Sequence, residues 1–215
     1  MKNKKVFTWR ELLTNKFFDL LIVITGVTIA FQLNNWKLNS DQQSLAAFYK
    51  ENVKVELMKD IEEHEAILKS LESDKKFTER FLAVSKPSPD SLVKVVTEVL
   101  WFETFTPHQN TYQTLLQGNG LNVFGDRNLP GQITEYYSSY TPILRFNDVY
   151  TNALFRLYEY FSPYCNFEKR KLTDASVLSK NQTRNVLIIV VGQLNDGIEA
   201  HSEALRKAKA LQARL

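Results

Sequence analysis

The chain of 215 residues has one cysteine, seven glycines and six prolines. A lone cysteine, Cys165, excludes an internal disulfide and reads as a small buried residue, or as a bridge to another chain in an oxidising compartment. So little glycine and proline, beside 44% hydrophobic residues, excludes a disordered chain or a turn-rich β fold. The net charge of +3 lies largely in the N-terminal tail and is too small for a nucleic-acid surface. The three histidines, His64, His108 and His201, form no H-x-x-x-H or E-x-x-H spacing, and C-x-x-C is absent. A metal site would therefore need residues brought together only by folding, and each histidine reads as structural. No catalytic constellation and no cofactor motif appears, so no enzyme is expected.

What is present is one long apolar run. Residues 17–36 read FFDLLIVITGVTIAFQLNNW, and up to Leu33 only Asp19, Thr25, Thr28 and Gln32 interrupt it. At ~1.5 Å per residue this covers roughly 25 Å, enough for a bilayer that thins slightly around it. Asp19 near one end can reach headgroup water, and Trp36 suits the opposite interface. The alternatives are a buried helix of a soluble domain or a cleaved signal peptide. No small-x-small site follows Ala30, which favours an uncleaved anchor. Lys2, Lys4, Lys5, Arg10 and Lys16 precede the run against Glu11 alone. The positive-inside rule then leaves the N-terminus in the cytoplasm and the C-terminal part exported.

The string of residues 19–36, DLLIVITGVTIAFQLNNW, resembles the opening segment of an uncharacterised family of bacterial single-pass envelope proteins whose anchor ends I-A-x-Q-x-N-N-W. Asp19 stands where that family more often has Glu. A second stretch, from Thr104, Phe105, Thr106 and Pro107 through Tyr112, Leu115, Gly120, Leu121, Tyr136 and Tyr137, is similar to the family's central region. The family has no assigned activity. The resemblance implies a topology: a bacterial inner-membrane protein with a periplasmic C-terminal domain.

Three parts are expected: a basic tail over 1–16, an anchor over 17–36 and an exported helical domain over 37–215. No Gly or Pro occurs between Gly26 and Pro87, so the anchor can run into the next helix, which spans 45–84. Leu57, Ile61, His64, Leu68, Leu71, Thr78 and Leu82 mark its inner face, and Glu65–Lys69 and Glu72–Lys76 are spaced as i,i+4 pairs. Pro87 and Pro89 break it. A Val-rich segment over 91–105 reads as a helix with some strand character. Short helical residues follow at 111–117, and Gly118, Asn119 and Gly120 suit left-handed turns. A helix capped by Asp126 or Asn128 and kinked at Pro142 carries Leu129, Ile133, Tyr136, Tyr137, Tyr140, Leu144, Leu154, Leu157 and Phe161 inward. A polar connection over 166–181 leads to a last helix over 182–213, with Leu187, Val190 or Val191, Leu194, Ile198 and Leu205 inside. Together these predict an all-α fold: an N-terminal membrane helix continuing into an antiparallel bundle.

Three surfaces could bind something. Asp19, Val23, Gly26, Ala30, Leu33 and Trp36 line the anchor, and Gly26 with Ala30 is a small-x-x-x-small pair suited to helix association. Tyr136, Tyr137 and Tyr140 read either as core or as an aromatic partner surface. Arg206, Lys207, Lys209 and Arg214 complement the last helix's dipole or meet an acidic surface, and Glu62, Glu63 and Glu65 read as a solvated face. The expected partners are the lipid bilayer and a protein, either another copy through the anchor or a different chain. The function read from this is a membrane-anchored interaction or scaffold module of the envelope. The alternative is a small-molecule-binding, sensor-like ectodomain acting through a membrane partner.

Overall fold

The computed structural model describes residues 9–118 and 120–215, with side chains from Lys16 onward. Lys2, Lys4, Lys5 and Asn119, and the side chains of Arg10 and Glu11, lie outside the described residues. The described fold is all-α apart from one two-residue hairpin. Helix α1 runs from Trp9 to Ala83, followed by α2 (Pro89–Leu100), α3 (Asn110–Gln117), α4 (Leu129–Ser138), α5 (Tyr140–Phe161) and α6 (Asn181–Gln212). Strands β1 (Cys165–Asn166) and β2 (Lys171–Leu172) pair antiparallel between α5 and α6.

Contacts divide the chain into two units, Met1–Phe48 and Tyr49–Leu215. In the first, helical structure passes through Asn34 and Asn35 without a break, and residues 16–45 are all exposed. One helix here is long and apolar enough to cross a membrane, and none of its apolar window is buried. Thr28 returns its hydroxyl to the Ile24 carbonyl at 2.8 Å, which satisfies it within the helix.

In the second unit, pairs of facing residues give the helix directions. Going up α1, Glu56 meets Tyr137 and Asp60 meets Tyr140, so α1 is parallel to the α4–α5 run. Lys94 lies over the Phe77 ring at 4.7 Å while Glu98 faces Asp74, so α2 descends. Glu135 pairs with Lys207, Phe146 lies on Gly197, and Tyr160 bonds Thr183, so α6 descends along α4 and α5. These four rods form an antiparallel bundle.

Each rod turns one stripe inward. On α1 the buried set is Val53, Leu57, Asp60, His64, Ile67, Leu71, Asp74, Thr78 and Phe81, alternating steps of four and three. Ile61, Leu68 and Leu82, expected inside, sit half-buried one position to the side. On α6 the set is Thr183, Leu187, Val190, Leu194, Gly197, His201, Ala204, Ala208 and Leu211. Val190 rather than Val191 is the buried valine, and Ile198 and Leu205 flank the seam half-buried. On α5 the expected Leu144 is exposed, and Asn147 takes the inner position.

Local chemistry sets the breaks. Ser88 caps α2 by accepting the Ser91 N–H at 3.2 Å, with Pro89 at the first helical position. That helix ends at Leu100 rather than at Phe105, and residues 101–109 are irregular, because Pro107 disfavours helical backbone before it. Ser139 separates α4 from α5, placing Pro142 in the first turn of α5 rather than inside one kinked helix. Asp126 accepts the Asn128 N–H at 2.8 Å, while Asn128 itself makes no side-chain cap. No described glycine has a positive φ, so neither Gly118 nor Gly120 adopts the left-handed conformation expected there. Arg170, in the hairpin, has a φ of 49° instead. Cys165 is buried and unpaired.

Gly197 is the tightest point. A Cβ there would lie 2.6 Å from Cε2 of Phe146, whose ring is held by Phe102, Tyr150 and His201. Gly197→Ala is therefore expected to destabilise the fold by roughly 1–3 kcal/mol, read from urea unfolding. Gly192→Ala, in the same helix with open space around its Cβ, serves as the control and should stabilise by about 0.5–1 kcal/mol.

Candidate functional site

The polar interior gathers on α1. Glu56, Asp60 and Glu63 recur at steps of four and three and face the irregular segment 101–109, α3 and the α4–α5 junction. Glu56 Oε1 accepts the Thr111 N–H at 2.8 Å and the Thr111 hydroxyl at 2.9 Å. It thereby caps α3, whose own N-cap residue Gln109 makes no side-chain bond. Its Oε2 accepts the Tyr137 hydroxyl at 2.8 Å. Glu63 Oε1 accepts the Thr106 N–H at 2.7 Å.

Asp60 is fully buried. Its Oδ2 accepts the Tyr136 hydroxyl at 2.6 Å and a short bond from Tyr140, and His108 Nδ1 lies 2.8 Å from its Oδ1. The Tyr140 oxygen also lies 3.2 Å from the His108 carbonyl. Burial, joined by the Asp60 and Glu56 carboxylates, pushes the hydroxyls of Tyr136, Tyr137 and Tyr140 far above the ordinary tyrosine range. They are donors at any physiological pH.

Two further buried polar groups lie along the bundle. His64 and His201 face each other with Nδ1 atoms 3.0 Å apart, and neither Nε2 has a partner. Phe105 stacks on His64, centroids 4.4 Å apart. Burial, reinforced by His201, lowers His64 to about 3, and burial lowers His201 to about 4. Both rings are neutral at pH 7, one donating to the other. Asp74 faces α2 and α5; burial and the Glu98 carboxylate push it up to about 7. The Tyr150 hydroxyl is buried without a partner.

The sequence-derived candidates fall into separate places. Asp19, Val23, Gly26, Ala30, Leu33 and Trp36 stay exposed in the N-terminal unit, and a Cβ on Gly26 would meet nothing within 4 Å. Tyr136, Tyr137 and Tyr140 are core residues with hydroxyls turned to Asp60 and Glu56, so they present no surface to a partner. The basic group near the C-terminal end is matched internally. Arg206 pairs with Glu203, Lys207 with Glu135 and Glu203, Lys209 with Glu65, and Arg214 with Asp126. Glu65 thus reaches Lys209 rather than Lys69, and among the described residues the i,i+4 ion pair of α1 is Lys75–Glu79 rather than Glu72–Lys76.

Pattern reasoning missed Glu56, Asp60 and Asp74, and did not join His108 to α1. The available signal was the carboxylate spacing 56–60–63 on one helix face. Comparison of the chain with protein-family models, curated proteins and solved structures finds no match.

Outside the core, an open groove of about 740 Å³ lies between α5 and α6, bordered by Pro142, Arg145, Phe146, Val149, Asp196 and Lys207. Beside it Val149, Ala153, Val186 and Ile189 line a more apolar furrow. Phe155 and Tyr158 are exposed on α5 next to Leu100 and Phe102.

The Asp74 shift has a sign. An unfolded aspartate titrates near ~3.9, and in the fold this carboxyl is pushed to about 7. As pH rises through that window the unfolded chain releases its proton first, so folding weakens. His201 works oppositely, losing its contribution as pH falls from ~6.5 towards its lowered folded value. Asp74→Asn removes only the first effect. Its advantage in thermal midpoint over the unsubstituted chain should grow from pH 4 to pH 7 and then level off. A difference independent of pH would mean that Asp74 ionises normally.

Proposed function

We propose that the chain is a membrane-anchored protein-interaction module, held by residues 17–36, whose helical domain presents the outer faces of α5 and α6 to a protein partner. The observation that carries this reading is how the polar and apolar groups are divided. Glu56, Asp60 and Glu63 are satisfied by the tyrosines, His108 and backbone N–H groups of neighbouring elements, and the clefts on α5 and α6 are open grooves. Apolar side chains outside the buried stripes, Val149, Phe155, Ile188 and Ile189, stand exposed on α5 and α6. They form separate patches, Val149 with Ile189 between α5 and α6 and Phe155 beside Leu100 and Phe102, and exposed apolar patches are candidate interaction sites.

The anchor reading rests on the unburied apolar helix and on the charge bias before it. The resemblance of residues 19–36 to bacterial single-pass envelope proteins supports the same topology: N-terminus cytoplasmic, helical domain periplasmic. A sensor-like ectodomain is the second reading, favoured by the α5–α6 groove, whose volume suits a small ligand. Its openness and its mixed charges, Arg145 and Lys207 against Asp196 and Glu203, fit a peptide surface better.

Photo-crosslinking groups placed at Ile189 and Phe155 in intact cells should yield one discrete adduct, absent when the group sits at exposed Glu72. No adduct from either apolar position would overturn the interaction reading. A reporter active only after export, fused after Leu215, should be active; activity only from a cytoplasmic reporter would overturn the topology. Within the anchor, Gly26→Leu should reduce crosslinking between membrane helices while Val27→Leu does little. Equal behaviour of the two, at matched expression, would make the anchor a passive tether.

A further inference from the structure

Asp60, Glu63 and His108 each offer one donor atom, and the three atoms lie within 4.8 Å of one another. We propose that they form a divalent transition-metal site with Asp60 Oδ1, Glu63 Oε2 and His108 Nδ1 as protein ligands. Each carboxylate is oriented for the task. Asp60 holds its other oxygen on Tyr136 and Tyr140, and Glu63 holds its other oxygen on the Thr106 N–H. That leaves Oδ1 at 2.8 Å and Oε2 at 3.9 Å from His108 Nδ1. Donors that fix the far oxygen of a ligating carboxylate are what an outer coordination shell supplies.

Charge points the same way. Three carboxylates, Glu56, Asp60 and Glu63, share one face of α1. Among the described residues His108 is the ion-pair partner of Asp60 and Glu63, and Glu56 has none. A divalent cation bound to the neutral imidazole at Nδ1 would offset two of the three carboxylate charges, which the protein itself does not. The site is also reachable. Asp60 is sealed, but His108 and Glu63 keep 34% and 25% of their side-chain surface, so a coordination position can face water.

The donor set selects the metal class. One imidazole and two carboxylates suit Zn²⁺ or Mn²⁺; no thiolate is present for softer ions, and Mg²⁺ favours oxygen alone. In the structure a hydrogen bond joins His108 to Asp60 where the ion would sit. Two metal bonds of ~2.0–2.1 Å at a tetrahedral angle separate their donor atoms by roughly 3.3 Å. His108 must therefore withdraw by about half an ångström, which its irregular segment permits. The bound ion would fasten residues 101–109 to α1, independently of any partner on α5 and α6.

The test uses the full-length protein in detergent micelles, its affinity tag removed, titrated calorimetrically with Zn²⁺, Mn²⁺ and Mg²⁺. One Zn²⁺ per chain is expected, with Mg²⁺ much weaker. Glu63→Gln keeps an oxygen for the Thr106 N–H, and His108→Gln keeps a donor for Asp60. Each should weaken Zn²⁺ binding at least about tenfold while the metal-free melting midpoint stays near that of the parent. Glu72→Gln, exposed elsewhere on α1, should leave binding unchanged. Zn²⁺ should raise the melting midpoint of the parent and of Glu72→Gln but not of the two ligand variants. Absence of saturable binding, or equal affinity in the parent, Glu63→Gln and His108→Gln, would overturn the proposal.

Discussion

A carboxylate removed from water costs several kcal/mol unless donors replace its hydration, and Asp60 on α1 is wholly removed. Its replacements come from three places far apart in the chain. Tyr136 donates from α4, Tyr140 from the first turn of α5, and His108 from the segment that follows α2. The charge can be solvated only when all three are in position at once. Glu56 and Glu63 repeat the arrangement a turn away on either side, fixing α3 through Thr111 and the irregular segment through Thr106. A buried polar cluster is weak evidence of net stability. What this one provides is register, because an apolar seam alone would allow neighbouring turns to exchange places.

The same carboxylates explain why the sequence was legible for the bundle and illegible for its polar centre. Along α1 two adjacent stripes compete. One holds Ile61, Leu68 and Leu82; the other holds Asp60, Ile67, Asp74 and Phe81. Counting apolar residues favours the first, since two aspartates count against the second. The fold chooses the second because Asp60 has donors 48 to 80 positions away and Asp74 can remain protonated. No local periodicity carries that information. Leu144 fails in the same direction on α5, where the inner place goes to Asn147. On α6 the apolar turns Leu187, Val190 and Leu194 could be read directly. Farther on, the seam passes through Gly197, Ala204 and Ala208, small residues beside large side chains of other rods. Pattern reasoning looks for bulk and so settled on Ile198 and Leu205, which only flank the contact.

The end of α2 shows how a tertiary demand overrides a local preference. Residues 91–105 are apolar enough to continue as one helix, and only Pro107 argues otherwise. Stopping at Leu100 lets the chain extend. Phe102 then packs on Phe146 and Tyr150, Phe105 stacks on His64, and the Thr106 N–H and His108 ring reach Glu63 and Asp60. Helical backbone would commit that amide to its own turn. The cost is Trp101, left 77% exposed at the break.

With the interior so occupied, the residues that folding leaves unexplained become informative. The basic side chains near the end of α6 each have a carboxylate partner, so they offer no free cationic patch. The tyrosines of α4 are consumed by Glu56 and Asp60. Val149, Phe155, Ile188 and Ile189 are different: they lie off the seams, exposed to water, and contribute little burial to this chain alone. Polar residues at those positions would serve the bundle equally well, since an outward helical face tolerates any good helix former. On the proposed reading a protein partner covers them, which is why that reading is placed on α5 and α6 rather than on the tyrosine cluster.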